Sequence, residues 1–257
     1  MKLTVTVITR NEAAHIASAL ESVAWADEII VIDSRSTDDT VRIARTLATR
    51  VEVCDWPGYS AQKNYAASLA SNDWILSIDA DERVTPALAA EIRGVLAREP
   101  GVHGYRMPRV ARYLGRWIRS TDWYPDYQLR LYDRRSGRWN GRRVHESVEL
   151  EDGRQPGLLR NDLQHYAYRD VSHHLATIDT YTTLAALQWH AEGRRRSSIP
   201  GALAHAAFAF LRNYILRGGF RDGSAGLIVS VLNSYYVFLK LAKFWELRQA
   251  RLAATDD

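Results

Sequence analysis

The chain has 257 residues, with 34 Lys and Arg against 30 Asp and Glu, a formal charge of +4 and 46% hydrophobic residues. That balance is ordinary for a globular protein and excludes a disordered or collagen-like chain, while the length allows one large domain or one domain with an appendage. A single cysteine, Cys54, cannot close an internal disulfide, which suits a reducing compartment.

The first residues, Met1 to Thr6, alternate as a strand does and lack the apolar core of a signal peptide. Leu3 to Thr9 predicts a strand, and Asn11-Glu12 a helix start before Ile16, Leu20 and Val23 at helical spacing. Glu28 to Asp33 predicts a second strand. Ser36 with Asp39 predicts a capping pair for a helix whose apolar face continues through Ile43 and Leu47. Val51 to Cys54, Gln62 to Leu69 and Trp74 to Asp79 read as strand, helix and strand. Thr85-Pro86 places a cap and a first-turn proline before Leu88, Ile92 and Leu96. Near-continuously apolar strands separated by helices imply an α/β fold, a mostly parallel sheet covered on both faces.

Ligands of such sheets bind at the carboxyl ends of the strands. Those ends hold Thr9-Arg10-Asn11-Glu12, Asp33-Ser34 and Asp79-Ala80-Asp81-Glu82. A carboxylate that ends a strand can also cap the next helix, and Asp33 alone is open to either role. Three acids within four residues repel one another unless a cation or hydrogen-bond donors lie between them. Mg²⁺ or Mn²⁺, held by carboxylates and substrate phosphates, is the natural partner. The dinucleotide fingerprint, the P-loop, the H-E-x-x-H zinc motif and the G-x-S-x-G elbow are all absent.

Charge is unevenly spread: residues 1–100 carry a net −5, residues 101–143 a net +8 from eleven arginines and three aspartates, and residues 191–257 a net +5. In the cationic middle, Tyr113, Trp117, Trp123, Tyr124, Tyr127, Tyr132 and Trp139 are interleaved with the arginines. Aromatic faces suit sugar rings, and guanidinium forks suit phosphates and carboxylates. The same mixture over 103–143 can bind single-stranded nucleic acid, and a solvated cationic face is the plainest alternative. The acidic rim opposes a polyanion, so no nucleic-acid partner is expected.

The blocks Thr9-Arg10-Asn11-Glu12, Val31-Ile32-Asp33-Ser34 with Ser36-Thr37-Asp38, and Leu76 through Glu82 together resemble a family 2 glycosyltransferase of the GT-A (Rossmann-like) fold. Pro125 to Tyr132, Val144-His145-Glu146 and Gly218 to Gly223 are similar to the bacterial lipopolysaccharide inner-core β-1,4-glucosyltransferases. The resemblance implies a catalytic domain over 1–165, with a nucleotide-sugar half over 1–100 and an acceptor half over 101–165. A helical C-terminal region over 166–257 follows as an appendage able to associate with a membrane.

Carried across, the resemblance places Thr9, Asn11, Glu12, Asp33, Lys63, Asp79 and Ala80 around a UDP-sugar. It places a divalent metal (Mg or Mn) on Asp81, with Asp79 and His145 as further ligands. Trp123, Arg130 and Arg221 would meet a lipopolysaccharide-core or other lipid-linked acceptor. Direct displacement at the anomeric carbon needs a base for the acceptor hydroxyl, and Asp126 and Glu146 are the candidates. Either can equally be a surface acid paired with the surrounding arginines. His145 can as well be structural.

Near the end, Leu203, Ala207, Phe210, Leu211, Tyr214 and Ile215 make an apolar face beside Arg212 and Arg217. The charge-free stretch Gly223 to Leu239 has 17 residues, at the lower limit for a membrane span, and reads as a buried or interfacial helix. Two apolar helices flanked by cations fit a cytoplasmic protein lying on an anionic membrane face. A hairpin packed on the sheet or on a second copy is the alternative. The sequence leaves the oligomeric state open.

Overall fold

In the computed structural model, which describes residues 1–98, 100–141, 146–194 and 198–253, the first hundred residues alternate strand and helix. The elements are β1 (Leu3–Thr9), α1 (Ile16–Ser22), β2 (Glu28–Asp33), α2 (Thr40–Leu47), β3 (Arg50–Val53), α3 (Tyr59–Ser68), β4 (Trp74–Asp79), β5 (Glu82–Val84) and α4 (Pro86–Ala97). There follow β6 (Gly104–Tyr113), β7 (Arg116–Ile118), β8 (Asp126–Asp133), β9 (Gly137–Trp139), β10 (Val148–Leu150), β11 (Gly157–Leu158) and β12 (Leu163–His165). Three long helices close the chain: α5 (Val171–Ala191), α6 (Ile199–Leu211) and α7 (Gly223–Ala253).

Two compact units form, one from residues 1–110 with 126–165 and the other from 111–125 with 166–257. The expected division after residue 165 assigned 111–125 to the catalytic part, whereas contacts group this segment with the C-terminal helices.

The first unit is built on a mixed sheet in the order β3-β2-β1-β4-β8-β6-β12-β5, with β11 on β6. Strands β3, β2, β1 and β4 run parallel, as the apolar sequences of β1, β2 and β4 predict, and β8 joins β4 antiparallel. Alternate residues go to opposite faces. Val5, Val7, Val31, Leu76 and Ile78 pack with Ile16, Leu20, Leu88 and Ile92 of α1 and α4. Ile8, Ile30, Ile32 and Ile75 pack with Ala66 and Ala67 of α3. Both faces are thus dry, and burial of such side chains contributes about 1.5–3 kcal/mol each.

Local signals succeed where one partner is available. Thr85 accepts from Leu88 N at 3.1 Å, and Pro86 opens α4. The Ser36–Asp39 capping pair does not form. Asp33, three residues before Ser36, accepts its backbone N–H at 2.8 Å and its hydroxyl, while Asp38 receives Thr40 N at 3.1 Å. Ala44, not Leu47, is the buried residue of α2's second turn.

In the second unit the last residues of β6 pair with β7, and α7 packs along α6 and α5. Tyr113, Trp123, Tyr168 and His174 form one aromatic cluster, with Trp123 stacked on Tyr168 at 5.4 Å. The apolar face read from the sequence along α6, from Leu203 to Ile215, is mostly exposed. Its alanine face, Ala202, Ala206 and Ala209, is the buried one, because small side chains let α7 approach closely enough for Ser234 to donate to Ala206 O at 2.7 Å.

Candidate active site

Register brings three strand ends level: Thr9 lies opposite Asp33, and Ile8 opposite Asp79. The chain turns sharply after β1, with Asn11 in the left-handed region at φ 54°, where Asn pays little because of its short polar side chain. Asn11 Oδ1 accepts from Thr37 N at 2.8 Å, its own N–H donates to Ser36 Oγ, and Glu12 N donates to Thr40 Oγ1. These bonds tie the loop after β1 to the loop after β2. Thr9 Oγ1 is buried with no partner among the described residues, a donor left available at the rim. Asp33 is buried with Ser36 on both oxygens, so it shapes this loop from beneath. Gln62 supports it by donating to Ile32 O and accepting from Ser34 Oγ at 2.8 Å.

At the end of β4 the acids do not stand alone. Lys63 Nζ lies 2.9 Å from Asp79 Oδ1, and Arg130 Nη2 lies 2.8 Å from Asp79 Oδ2 and 2.9 Å from Glu82 Oε1. Arg109 Nη1 reaches the same Glu82 oxygen at 3.0 Å, and Arg109 Nη2 reaches Asp126 Oδ2 at 2.7 Å. Lys63, Asp79, Arg130, Glu82, Arg109 and Asp126 therefore form one chain of alternating charge with no net excess. Glu82 is fully buried, Lys63 is 2% exposed and Arg130 3%. Buried charges at such cost persist only when paired and hydrogen-bonded. Burial works to raise the Asp79 carboxyl, but Arg130 and Lys63 outweigh it and hold the group well below the usual carboxylate range. Both cations also sit over the Trp139 ring, at 4.3 Å for Lys63 and 5.4 Å for Arg130.

Asp81 lies outside that chain and pairs with His165 Nε2 at 3.2 Å. Antiparallel pairing of β12 with β5, His165 opposite Glu82, makes this meeting possible. Burial raises the Asp81 carboxyl, and the His165 hydrogen bond and charge more than offset it, leaving the group lowered. Side by side, Asp81 and His165 would supply one oxygen and one nitrogen donor to an ion that displaces the proton between them. Among the described residues no group of three or more His, Cys, Asp or Glu side chains gathers. Two donors are too few for a closed structural zinc, and a divalent ion there would need further ligands from outside the chain.

The expected residues thus separate. Thr9, Asn11, Glu12, Asp33, Lys63, Asp79, Ala80 and Asp81 lie along one rim, and Asp126 joins it through Arg109. Asp126 is 34% exposed, with Gln128 Nε2 donating to its Oδ1 at 2.6 Å. Glu146 is half-buried in the β9–β10 loop, and none of the described bonds of the rim involves it. His145 falls outside the described residues. Arg130, expected at the acceptor, is instead the buried counter-ion of Asp79 and Glu82. Trp123, also expected there, is built into the aromatic cluster and donates to Asn233 at 3.2 Å. Arg221 is exposed in the second unit, over the Phe220 ring. Sequence reading missed His165 and the linking roles of Glu82 and Arg109. A lone histidine beside tyrosine gives no local sign that a strand pairing carries it to an aspartate.

A mixed sheet with its polar rim at the carboxyl ends of β1, β2 and β4 puts the candidate site where open α/β sheets bind their ligands. The model of glycosyl transferase family 2 matches residues 4–147, and the chain belongs to that family. It is 32% identical to an uncharacterized glycosyltransferase of Rickettsia typhi, over all of this chain and 91% of the relative. Against LpsC of Rhizobium meliloti, a lipopolysaccharide core biosynthesis glycosyltransferase, it is 28% identical over 96% of this chain and 93% of the relative. The mannosyltransferase PcManGT of Pyrobaculum calidifontis, solved in complex with GDP-Man and Mn2+, superposes with a TM-score of 0.56. That match covers 95% of this chain and 87% of the other at 18% identity, and it shows the shared GT-A fold.

Proposed function

We propose that the protein is a metal-dependent inverting hexosyltransferase that moves glucose from UDP-glucose to a lipopolysaccharide-core or similar lipid-linked glycan at the inner face of the cytoplasmic membrane. The observation that carries the reading is the Asp81–His165 pair set beside a charge-balanced chain that ends on the half-open Asp126. Its chemistry matches the transfer. The family and the likeness to LpsC, a lipopolysaccharide core enzyme, favour a glycan acceptor over the nucleic-acid alternative.

Thr9, Asn11, Glu12 and Ala80 line the nucleotide end, with Asp33 fixing the loop that faces the base. Asp79, its charge compensated by Lys63 and Arg130, serves the ribose. Asp81 and His165 would hold a divalent ion, Mg²⁺ or Mn²⁺, which would supply positive charge to the departing diphosphate; the GT-A mannosyltransferase PcManGT was solved with Mn2+. Asp126 takes the proton of the acceptor hydroxyl as that oxygen attacks the anomeric carbon, a contribution of about 10²–10⁴-fold. Arg109, with two nitrogens on Asp126 Oδ2, fixes the carboxylate's direction, and the Oδ1 lone pair that Gln128 does not take is left for the hydroxyl. Inversion turns an α-linked donor into a β-linked product. Arg221 remains the candidate for the acceptor's acidic groups.

A thermal-shift screen of nucleotide sugars with Mn²⁺ present tests this. UDP-glucose should raise the melting temperature above the other donors. A chain that no nucleotide sugar stabilises would remove the reading.

A further inference from the structure

Helix α6 is unusual on its outer side. At about 100° per residue, Leu203, Ala204, Ala207, Phe208 and Leu211 fall within an arc of roughly 140°, and all are exposed. The π-turn Arg212–Leu216 and the turn after it add the exposed Ile215, Leu216 and Phe220, Leu216 being 69% exposed. From Ile199 through Leu211 there is no Asp, Glu, Lys or Arg, so the face has no charged side to give to water. Scattered exposed leucines need no explanation; a continuous apolar face does.

The charges around it are one-sided. Between Gly193 and Trp245 the only acid is Asp222. Asp222 is buried and committed to Ser120 Oγ at 2.6 Å and Arg119 N at 3.0 Å. Arg212 and Arg217 both fall on Asp122, two cations to one anion, and Arg221 has no acidic partner among the described residues. A second copy placed face to face would set these arginines against themselves. An anionic lipid surface would instead meet apolar side chains and cations together.

We propose that α6 and its π-turn are an in-plane membrane-docking surface that lays Leu203, Phe208, Leu211, Ile215, Leu216 and Phe220 into the interface of an anionic bilayer. Helix α7 is long and apolar enough to cross a membrane by length and composition. It is nonetheless used internally, since Ser234 bonds α6, and Lys243 bonds Asp179, Thr182 and Thr183 of α5. Spanning would strip those partners, whereas docking on α6 keeps them. The proposal gives a surface to the membrane placement made above but uses no catalytic residue, so the two fail separately.

Vesicle flotation of the full chain tests it, with phosphatidylcholine alone and with added phosphatidylglycerol. The chain should float with the anionic vesicles, lose binding as salt rises, and be released by alkaline carbonate. Leu211→Asp with Leu216→Asp, both exposed, should weaken vesicle binding about tenfold or more with an unchanged melting temperature. Should that pair unfold the chain, Phe208→Ser carries the same test with a smaller loss. Retention in carbonate would mean a spanning helix and overturn the proposal. Equal flotation on neutral vesicles would overturn it too, as would variants that turn an oligomer into a monomer while leaving flotation intact.

Discussion

Arg109 donates to Asp126 Oδ2 from both Nε, at 2.9 Å, and Nη2, at 2.7 Å, while its third nitrogen lies 3.0 Å from the buried Glu82. One guanidinium thereby couples an interior carboxylate to the half-open one assigned as base. Asp126→Asn keeps the shape and removes the basicity. It should lower kcat about 10²–10⁴-fold with UDP binding retained in titration. Glu146→Gln should leave kcat near the parent value. The reverse pattern would move the base to Glu146.

Lys63 has Asp79 as its carboxylate partner and almost no water. Asp79→Ala strands that ammonium, and leaving one partner of a buried pair costs about 3–5 kcal/mol. The pair Asp79→Ala with Lys63→Met should recover most of the loss in urea unfolding, though not the activity. Equal midpoints for the single and double variants would mean that the pair is not buried as described.

How much of this could be read from sequence depends on whether the deciding contact is local. Strands β1, β2 and β4 were legible because nearly every residue is apolar, and α4 because cap and proline are adjacent. Ser36 does not cap α2, because Asp33 at the end of the preceding strand takes both its N–H and its hydroxyl. Helix α6 is apolar on nearly every side, so periodicity alone does not say that Ala202, Ala206 and Ala209 are the residues that face α7. His165 and Arg109 reach the rim through strand pairings far apart in the chain. Asp79 and Asp81 stood out in the sequence as acids in need of cations; that protein cations serve the first and a histidine the second is a matter of tertiary structure.

His174 is packed among Tyr113, Trp123 and Tyr168, with Nδ1 3.1 Å from the Tyr113 hydroxyl. Burial, with His173 beside it, pushes its imidazole down to about 4. An unfolded histidine titrates near 6.5, so the unfolded chain binds the proton first as pH falls. The stability this group supports is complete above about pH 6.5 and declines toward pH 4, by at most about 1.4 kcal/mol per pH unit. Urea midpoints measured across that window should fall more steeply for the parent than for His174→Asn. Parallel slopes would show that His174 does not set the dependence.

Gly226 lies on α7 against the Gly219 turn, and an added Cβ would stand 1.9 Å from Gly219 O. Alanine in a helix normally gains about 0.5–1 kcal/mol over glycine. Here overpacking reverses the sign, with an expected loss of roughly 1–3 kcal/mol. A lower melting temperature for Gly226→Ala checks this, and a higher one would refute the close approach.

The most direct measurement is isothermal titration of UDP into the parent chain, Asp81→Ala and His165→Ala, each with Mn²⁺ and with chelator. The parent should bind at least about tenfold tighter with Mn²⁺, and both variants should lose that difference while staying folded. UDP binding that is indifferent to the ion in the parent, or metal-dependent tightening that survives in both variants, would contradict the assignment of Asp81 and His165 to the metal.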